Sequence, residues 1–266
     1  MAFLKSKKLF LFDMDGTIYH EDTLIPGASD FFYLCVARGI HYVFMTNNSS
    51  KSKYSYVEKL NRLGIDATID NIASSINATV DYLKGHNSKA KIYLVGTESF
   101  KEELEKEGFE IVPWNYREMD IDYVLVGFDT ELDYNKIEGA CFYISRGFDY
   151  IATNCDLRCP VRDEKYIPDC GAICQLLETA TNRKPLFLGK PSPYIVESVL
   201  EKWNVHKEDI VCVGDRLYTD IAVGINAGVD TVLVLTGEAK MEDLSDTPFS
   251  PTYTFDSIKD IYLDVL

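Results

Sequence analysis

Short, wholly apolar runs alternate along this chain with stretches whose apolar residues recur at helical spacing, the pattern of βαβ units on a parallel sheet. Lys8–Asp13 (KLFLFD) predicts a buried strand, and Pro26–Arg38 a helix with Phe31, Leu34 and Cys35 on one face, ended by Gly39. Ile40–Thr46 predicts the next strand, Ser52–Leu63 a helix closed by Gly64, and Asn71–Leu83 a helix aligning Ile72, Ile76, Val80 and Leu83. After a polar break at Gly85-His86-Asn87-Ser88, a second series begins. It runs through strands at Lys91–Val95, Tyr123–Val126 and Tyr150–Ala152, with helices at Ser99–Glu107, Tyr134–Arg146 and near Asp169–Thr181. Another break at Thr181–Pro185 returns the chain to the first rhythm: strand Leu186–Leu188, helix Pro193–Trp203, strand Asp209–Val213, helix Thr219–Ala227, strand Thr231–Leu235 and helix Ser257–Leu266. The expected fold is α/β, with a parallel-sheet core of residues 1–83 and 185–266 interrupted by a smaller α/β domain of residues 84–184.

The length of 266 residues suits a core with a second domain. A formal charge of −15 repels phosphate backbones and anionic lipid, so neither nucleic acid nor a membrane is an expected partner. An anionic substrate then needs local help from Lys, Arg, helix termini or a bound cation. No stretch approaches the roughly 18 apolar residues of a membrane span, and the run Leu9–Phe12 is shorter than a secretory signal's apolar stretch of about 7–15. Seven cysteines, at 35, 141, 155, 159, 170, 174 and 212, fit reduced cytoplasmic thiols better than a disulfide framework. Oligomeric state is left open, a homo-oligomer included.

Four sets of reactive residues directly follow apolar runs: Asp13 after KLFLF, Thr46 after HYVFM, Lys190 after LFLG and Asp215 after IVCVG. In open parallel sheets ligands bind outside the carboxyl ends of the strands, so all four are expected at one crevice. Asp13-Met14-Asp15-Gly16-Thr17 sets two carboxylates two residues apart around a turn. Close carboxylates repel and so separate in role: one can attack while the other moves protons.

DMDGT, followed in order by TNNSS, GKP and GDRLYTD, resembles the haloacid dehalogenase superfamily. The long insertion between the second and third motifs closely resembles its NagD-like branch. The resemblance implies a Rossmann-like core and a magnesium-dependent phosphatase acting on a small phosphate ester. By motif, Asp13 would be the nucleophile and Asp15 the general acid and base, its carbonyl also on the magnesium. Thr46 and Asn47 would hydrogen-bond the phosphoryl oxygens, with Asn48 closing the turn, and Lys190 would place its charge between Asp13 and the phosphate. Asp215 would complete the magnesium shell, and Asp220 would bind the ion through water or orient Lys190. The inserted domain would govern specificity, with Asn154 and Asp156 as contact candidates.

Other signals carry less. Cys155-x3-Cys159 and Cys170-x3-Cys174 lack the two-residue spacing common in zinc sites. The four histidines form no HExxH, and no P-loop is present. A phosphoacceptor signalling module also uses Asp, Thr and Lys on an α/β fold, but has no use for Asp15 or for an insertion. Within the superfamily, dehalogenation makes no use of an acid at Asp15, and phosphomutases carry a smaller helical cap.

Overall fold

The computed structural model describes residues 3–50, 52–161 and 165–266. The chain forms two compact units, one of Met1–Thr46, Lys53–Ala73 and Lys190–Leu266, the other of Asn47–Ser52 and Ser74–Gly189. The segment 84–184 lies wholly within the second.

Among the described residues, the first sheet has the strand order Tyr253–Phe255, Asp230–Val234, Ile210–Gly214, Leu9–Phe12, His41–Thr46 and Ile72–Ser74. Leu9–Phe12 pairs in parallel with a strand on each side. Its four residues are all buried, as expected of a central strand covered on both faces. Alternate residues serve opposite faces. Phe10, Phe12, Phe44, Val211 and Val213 join Phe31 and Phe32 of helix Ala28–Arg38 and Ile258 and Ile261 of helix Ile258–Val265 in one core. On the other face helix Ala222–Ala227 approaches so closely that a Cβ on Gly224 would lie 2.3 Å from Thr231 Cγ2. Helix Ala28–Arg38 stops at Gly39, whose φ of 66° is left-handed and takes a glycine at little strain.

The second unit has its own sheet, in the order Leu186–Phe187, Asp149–Ala152, Tyr123–Val126, Lys91–Val95 and Glu110–Ile111. Every pairing in it is parallel. Helices Tyr134–Ile144 and Cys170–Thr181 bury their apolar sides with Val124, Val126 and Ala152 in a separate core. Lys136 and Asp129 are buried together there, Nζ to Oδ2 2.8 Å.

Two differences from the sequence reading concern the passages between the units' segments. Ile72–Ser74 is a strand, and the helix begins only at Ser75, where Ser74 caps it by accepting from Asn77 N; the cap overrides a helical spacing that runs through Ile72. Leu186–Phe187 does not resume the first sheet but pairs with Ile151 and Ala152. Two apolar residues are too few to reveal which sheet receives them.

Candidate active site

Asp13 leaves the carboxyl end of the central strand, its N–H donating to Val213 O at 2.8 Å. The chain then turns tightly, with Met14 O accepting from the N–H groups of Thr17, Ile18 and Tyr19 and with Gly16 at φ 84°, a conformation that costs glycine little. A Cβ on Gly16 would also lie 2.7 Å from Asp215 Oδ2. Thr46 ends the strand on one side of Leu9–Phe12, and Asp215 follows the strand on the other. Three of the four motifs thus stand at the carboxyl ends of three adjacent strands.

Lys190 joins them through its side chain. Its Nζ donates to Asp13 Oδ1 at 2.5 Å and to Asp220 Oδ1 at 2.7 Å, with only 4% of the side chain exposed. Burial opposes its charge, but Asp13 and Asp220 outweigh burial and hold the ammonium above its usual range. Asp220 is buried in the π-helical turn Leu217–Ile221, and its Oδ2 accepts from Arg216 N at 3.0 Å.

Asp13, Asp215 and Asp220 each offer an oxygen within 4.8 Å of the others. Burial, then Asp220, push Asp13 up to about 8 against the pull of Lys190. Burial and Asp220 likewise push Asp215 up to about 6, partly offset by the Glu238 N–H. Ionised together, these three carboxylates carry more negative charge than the Lys190 ammonium neutralises. An all-oxygen donor set with surplus negative charge fits a hard divalent cation, while thiolate and imidazole donors are missing from the trio. Among the described residues the cysteines form no comparable cluster.

Asp15 lies outside the trio, with an exposed side chain and a backbone bridge to Tyr19. Thr46 is buried, and its Oγ1 donates to Tyr56 Oη at 3.5 Å. The remaining expected residues belong to the second unit. Asn48 Oδ1 accepts from Ser50 N and Oγ, at 2.9 and 2.7 Å. Asn47 Nδ2 donates to Asp156 Oδ2 at 2.7 Å, and fully buried Asn154 donates to the same oxygen at 2.9 Å.

The sequence reading passed over the loop after strand Asp230–Val234. Glu238 N donates to Asp215 Oδ2 at 2.7 Å, Ala239 N to Asp215 O at 3.0 Å, and Thr236 Oγ1 to Gly16 O at 2.7 Å. A Cβ on Gly237 would fall 1.9 Å from Asp215 Oδ2. The rule that found the other motifs, a polar turn directly after a buried strand, also selects Leu235-Thr236-Gly237-Glu238. Thr17 Oγ1, 3.4 Å from Asp215 Oδ1, is a further supporting contact.

An aspartate at the end of a central parallel strand, a buried lysine upon it and two further aspartates beside it make an α/β site suited to phosphoryl chemistry. Residues 10–110 match the haloacid dehalogenase-like hydrolase family and residues 187–261 its HAD-hydrolase-like partner. The chain is 34% identical to ribonucleotide monophosphatase NagD of Escherichia coli K12, across 94% of this chain and 96% of that protein. It is also 34% identical to the acid sugar phosphatase of Staphylococcus aureus MRSA252, across 97% of each. Its fold superposes on a 4-nitrophenylphosphatase from Thermotoga maritima with a TM-score of 0.92 at 37% identity, covering 99% of both chains. The protein belongs to the haloacid dehalogenase-like hydrolases, in their NagD-like branch, and is a phosphoric monoester hydrolase.

Proposed function

We propose that the chain is a magnesium-dependent phosphatase that hydrolyses small organic phosphate monoesters through an aspartyl phosphate on Asp13. The observation that carries this reading is Lys190 Nζ shared between Asp13 and Asp220, with Asp215 in the same cluster. The relatives' ribonucleotide, sugar and nitrophenyl phosphates have in common only a dianionic monoester, which is the class proposed here.

Asp13 attacks phosphorus as the bond to the ester oxygen breaks, and Asp15 gives its proton to the departing alkoxide. Asp15, now a carboxylate, takes a proton from water whose oxygen attacks the phosphoryl group. The bond to Asp13 breaks, phosphate leaves, and Asp15 is again protonated. Lys190 and the donors at Thr46 and Asn47 offset charge on the phosphoryl oxygens. Asp13, the Asp15 carbonyl and Asp215 would hold the magnesium, which supplies further neutralisation of that charge.

The test is hydrolysis of 4-nitrophenyl phosphate with and without chelator, joined to mass spectrometry of acid-quenched enzyme. Activity should vanish with chelator and return with magnesium, Asp15→Asn should slow turnover by about 10²–10⁴, and trapped phosphate should map to Asp13. Phosphate on Ser, Cys or His refutes the mechanism, as does full activity without a divalent ion.

A further inference from the structure

The loop Thr153–Asp156 of the second unit carries a directed hydrogen-bond chain. Phe128 N donates to Ser49 Oγ at 2.8 Å, and Thr153 Oγ1 donates to Asn154 Oδ1 at 2.8 Å. Because Thr153 has one hydroxyl proton, the 3.0 Å contact between Ser49 Oγ and Thr153 Oγ1 is then donated by Ser49. Asn154 Nδ2 completes the run by donating to Asp156 Oδ2 at 2.9 Å and Asp169 Oδ1 at 3.1 Å. Ser49, Thr153 and Asn154 are essentially without solvent exposure, so each bond is made in a low-dielectric setting where an unmade one is costly.

The chain ends on Asn47. Its Nδ2 donates to Asp156 Oδ2 at 2.7 Å, and its backbone oxygen accepts from Ser75 Oγ at 2.8 Å. Asn47 Oδ1 lies on the opposite side, 2.6 Å from where a Cβ on Gly189 would sit. Flipping the amide would turn that oxygen onto the Asp156 carboxylate, so the aspartate fixes Asn47 as a donor. Gly189 N in turn donates to Thr153 O at 2.7 Å. In sequence Asn47 continues directly from Thr46, and Gly189 directly precedes Lys190. The loop thus grips both chain segments that run covalently into the chemical motifs.

We propose that Asp156, supported by Asn154, is a positioning residue for Asn47, and that this loop serves the phosphoryl half common to every substrate rather than choosing among leaving groups. The proposal rests on the reading of Asn47 as a phosphoryl-oxygen donor. Asn154 has its amide oxygen committed to Thr153 and its nitrogen to Asp156 and Asp169, and Asp156 takes two amide donors on one oxygen. Both are engaged as scaffold.

The experiment is a double-mutant cycle on the full chain with magnesium, using Asn47→Ala, Asp156→Ala, the double variant and Asp156→Asn. Each is assayed for kcat and KM on 4-nitrophenyl phosphate, a ribonucleoside monophosphate and a sugar phosphate, beside a thermal melt. Misplacing a positioned group by about 1 Å costs up to about 10²-fold. Asp156→Ala should therefore lower kcat/KM by about 10–100-fold and by the same factor for all three esters. Adding it to Asn47→Ala should cost less than about twofold more, because Asp156 acts only through that amide. Asp156→Asn keeps an acceptor oxygen and should recover most of the loss, also showing that the alanine variant's defect is not simple unfolding. If Asn47→Ala leaves activity intact, the phosphoryl reading of Asn47 fails and the proposal with it. If Asn47→Ala is damaging but Asp156→Ala is silent, is fully additive with it or reorders the three substrates, the proposal alone is overturned.

Discussion

Gly237→Ala tests whether the loop after strand Asp230–Val234 shapes the acidic site. The added methyl would stand 1.9 Å from Asp215 Oδ2, 2.3 Å from its Cγ and 2.5 Å from its Cβ, all inside the roughly 3 Å that such contacts require. Gly237 is not among the glycines with positive φ, so the effect is collision rather than backbone strain. Overpacking of this kind costs about 1–3 kcal/mol. Either the carboxylate swings away or the loop retreats, and retreat breaks the 2.7 Å bond from Glu238 N, a charge-assisted contact with a net value of about 1.5–3 kcal/mol. Both routes disturb Asp215, proposed above as an ion ligand, and loss of the groups that orient a ligand typically weakens metal affinity or activity by about 10–100-fold. Magnesium titration of 4-nitrophenyl phosphate hydrolysis should show a half-activating concentration raised by that factor, with much of kcat regained at high magnesium. Gly85→Ala is the control, since its Cβ meets nothing within 4 Å. An unchanged magnesium curve for Gly237→Ala, in protein that melts normally, would refute the claim that this glycine makes room for Asp215.

Lys190→Met should lower kcat by about 10²–10³, because it removes the buried ammonium that touches both Asp13 and Asp220; retention of more than a tenth of wild-type turnover contradicts its assigned role. Saturating magnesium should raise the thermal midpoint, an ion at about a hundred times its Kd adding about 2.7 kcal/mol, and Asp215→Asn should largely abolish the shift seen by differential scanning calorimetry. In the second unit, Lys136→Met strands Asp129, whose side chain is 0% exposed, and should cost about 3–5 kcal/mol in urea unfolding. Pairing it with Asp129→Leu should recover part of that loss, and a double variant less stable than the single one would show that the pair's charge is not the cause.

The legible part of the fold was the part written in contiguous apolar residues. LFLF, YVFM and IVCVG are buried strands because each is long enough to announce a covered position, and the residues that follow them are placed by chain continuity alone. Asp13, Thr46 and Asp215 could be read in this way. Leu186–Phe187 could not, since its partner is set by Ile151 and Ala152 in another part of the chain. Asp156 and Asn47 bond across 109 positions, and no local spacing reports such a pair. Asp156, expected as a substrate contact from its place in a loop after a strand, accepts hydrogen bonds from Asn47 and Asn154. Gly237 was missed for the opposite reason, since what matters there is the volume it leaves to Asp215.

The central place of Leu9–Phe12 has a consequence for biosynthesis. One of its neighbours is His41–Thr46, but the other is Ile210–Gly214, with Leu9 opposite Ile210. At translation rates of about 5–20 residues per second, the strand bearing Asp13 waits on the order of 10–40 s for that second neighbour to be made. Meanwhile Ser74–Gly189 is completed as one uninterrupted stretch with its own sheet and core. The later-made stretch can fold first, while the run LFLF lacks one of its two neighbouring strands until the chain passes Gly214. Slowing synthesis between residues 190 and 210 should lengthen the protease-sensitive life of that nascent segment without delaying the fold of the stretch already finished.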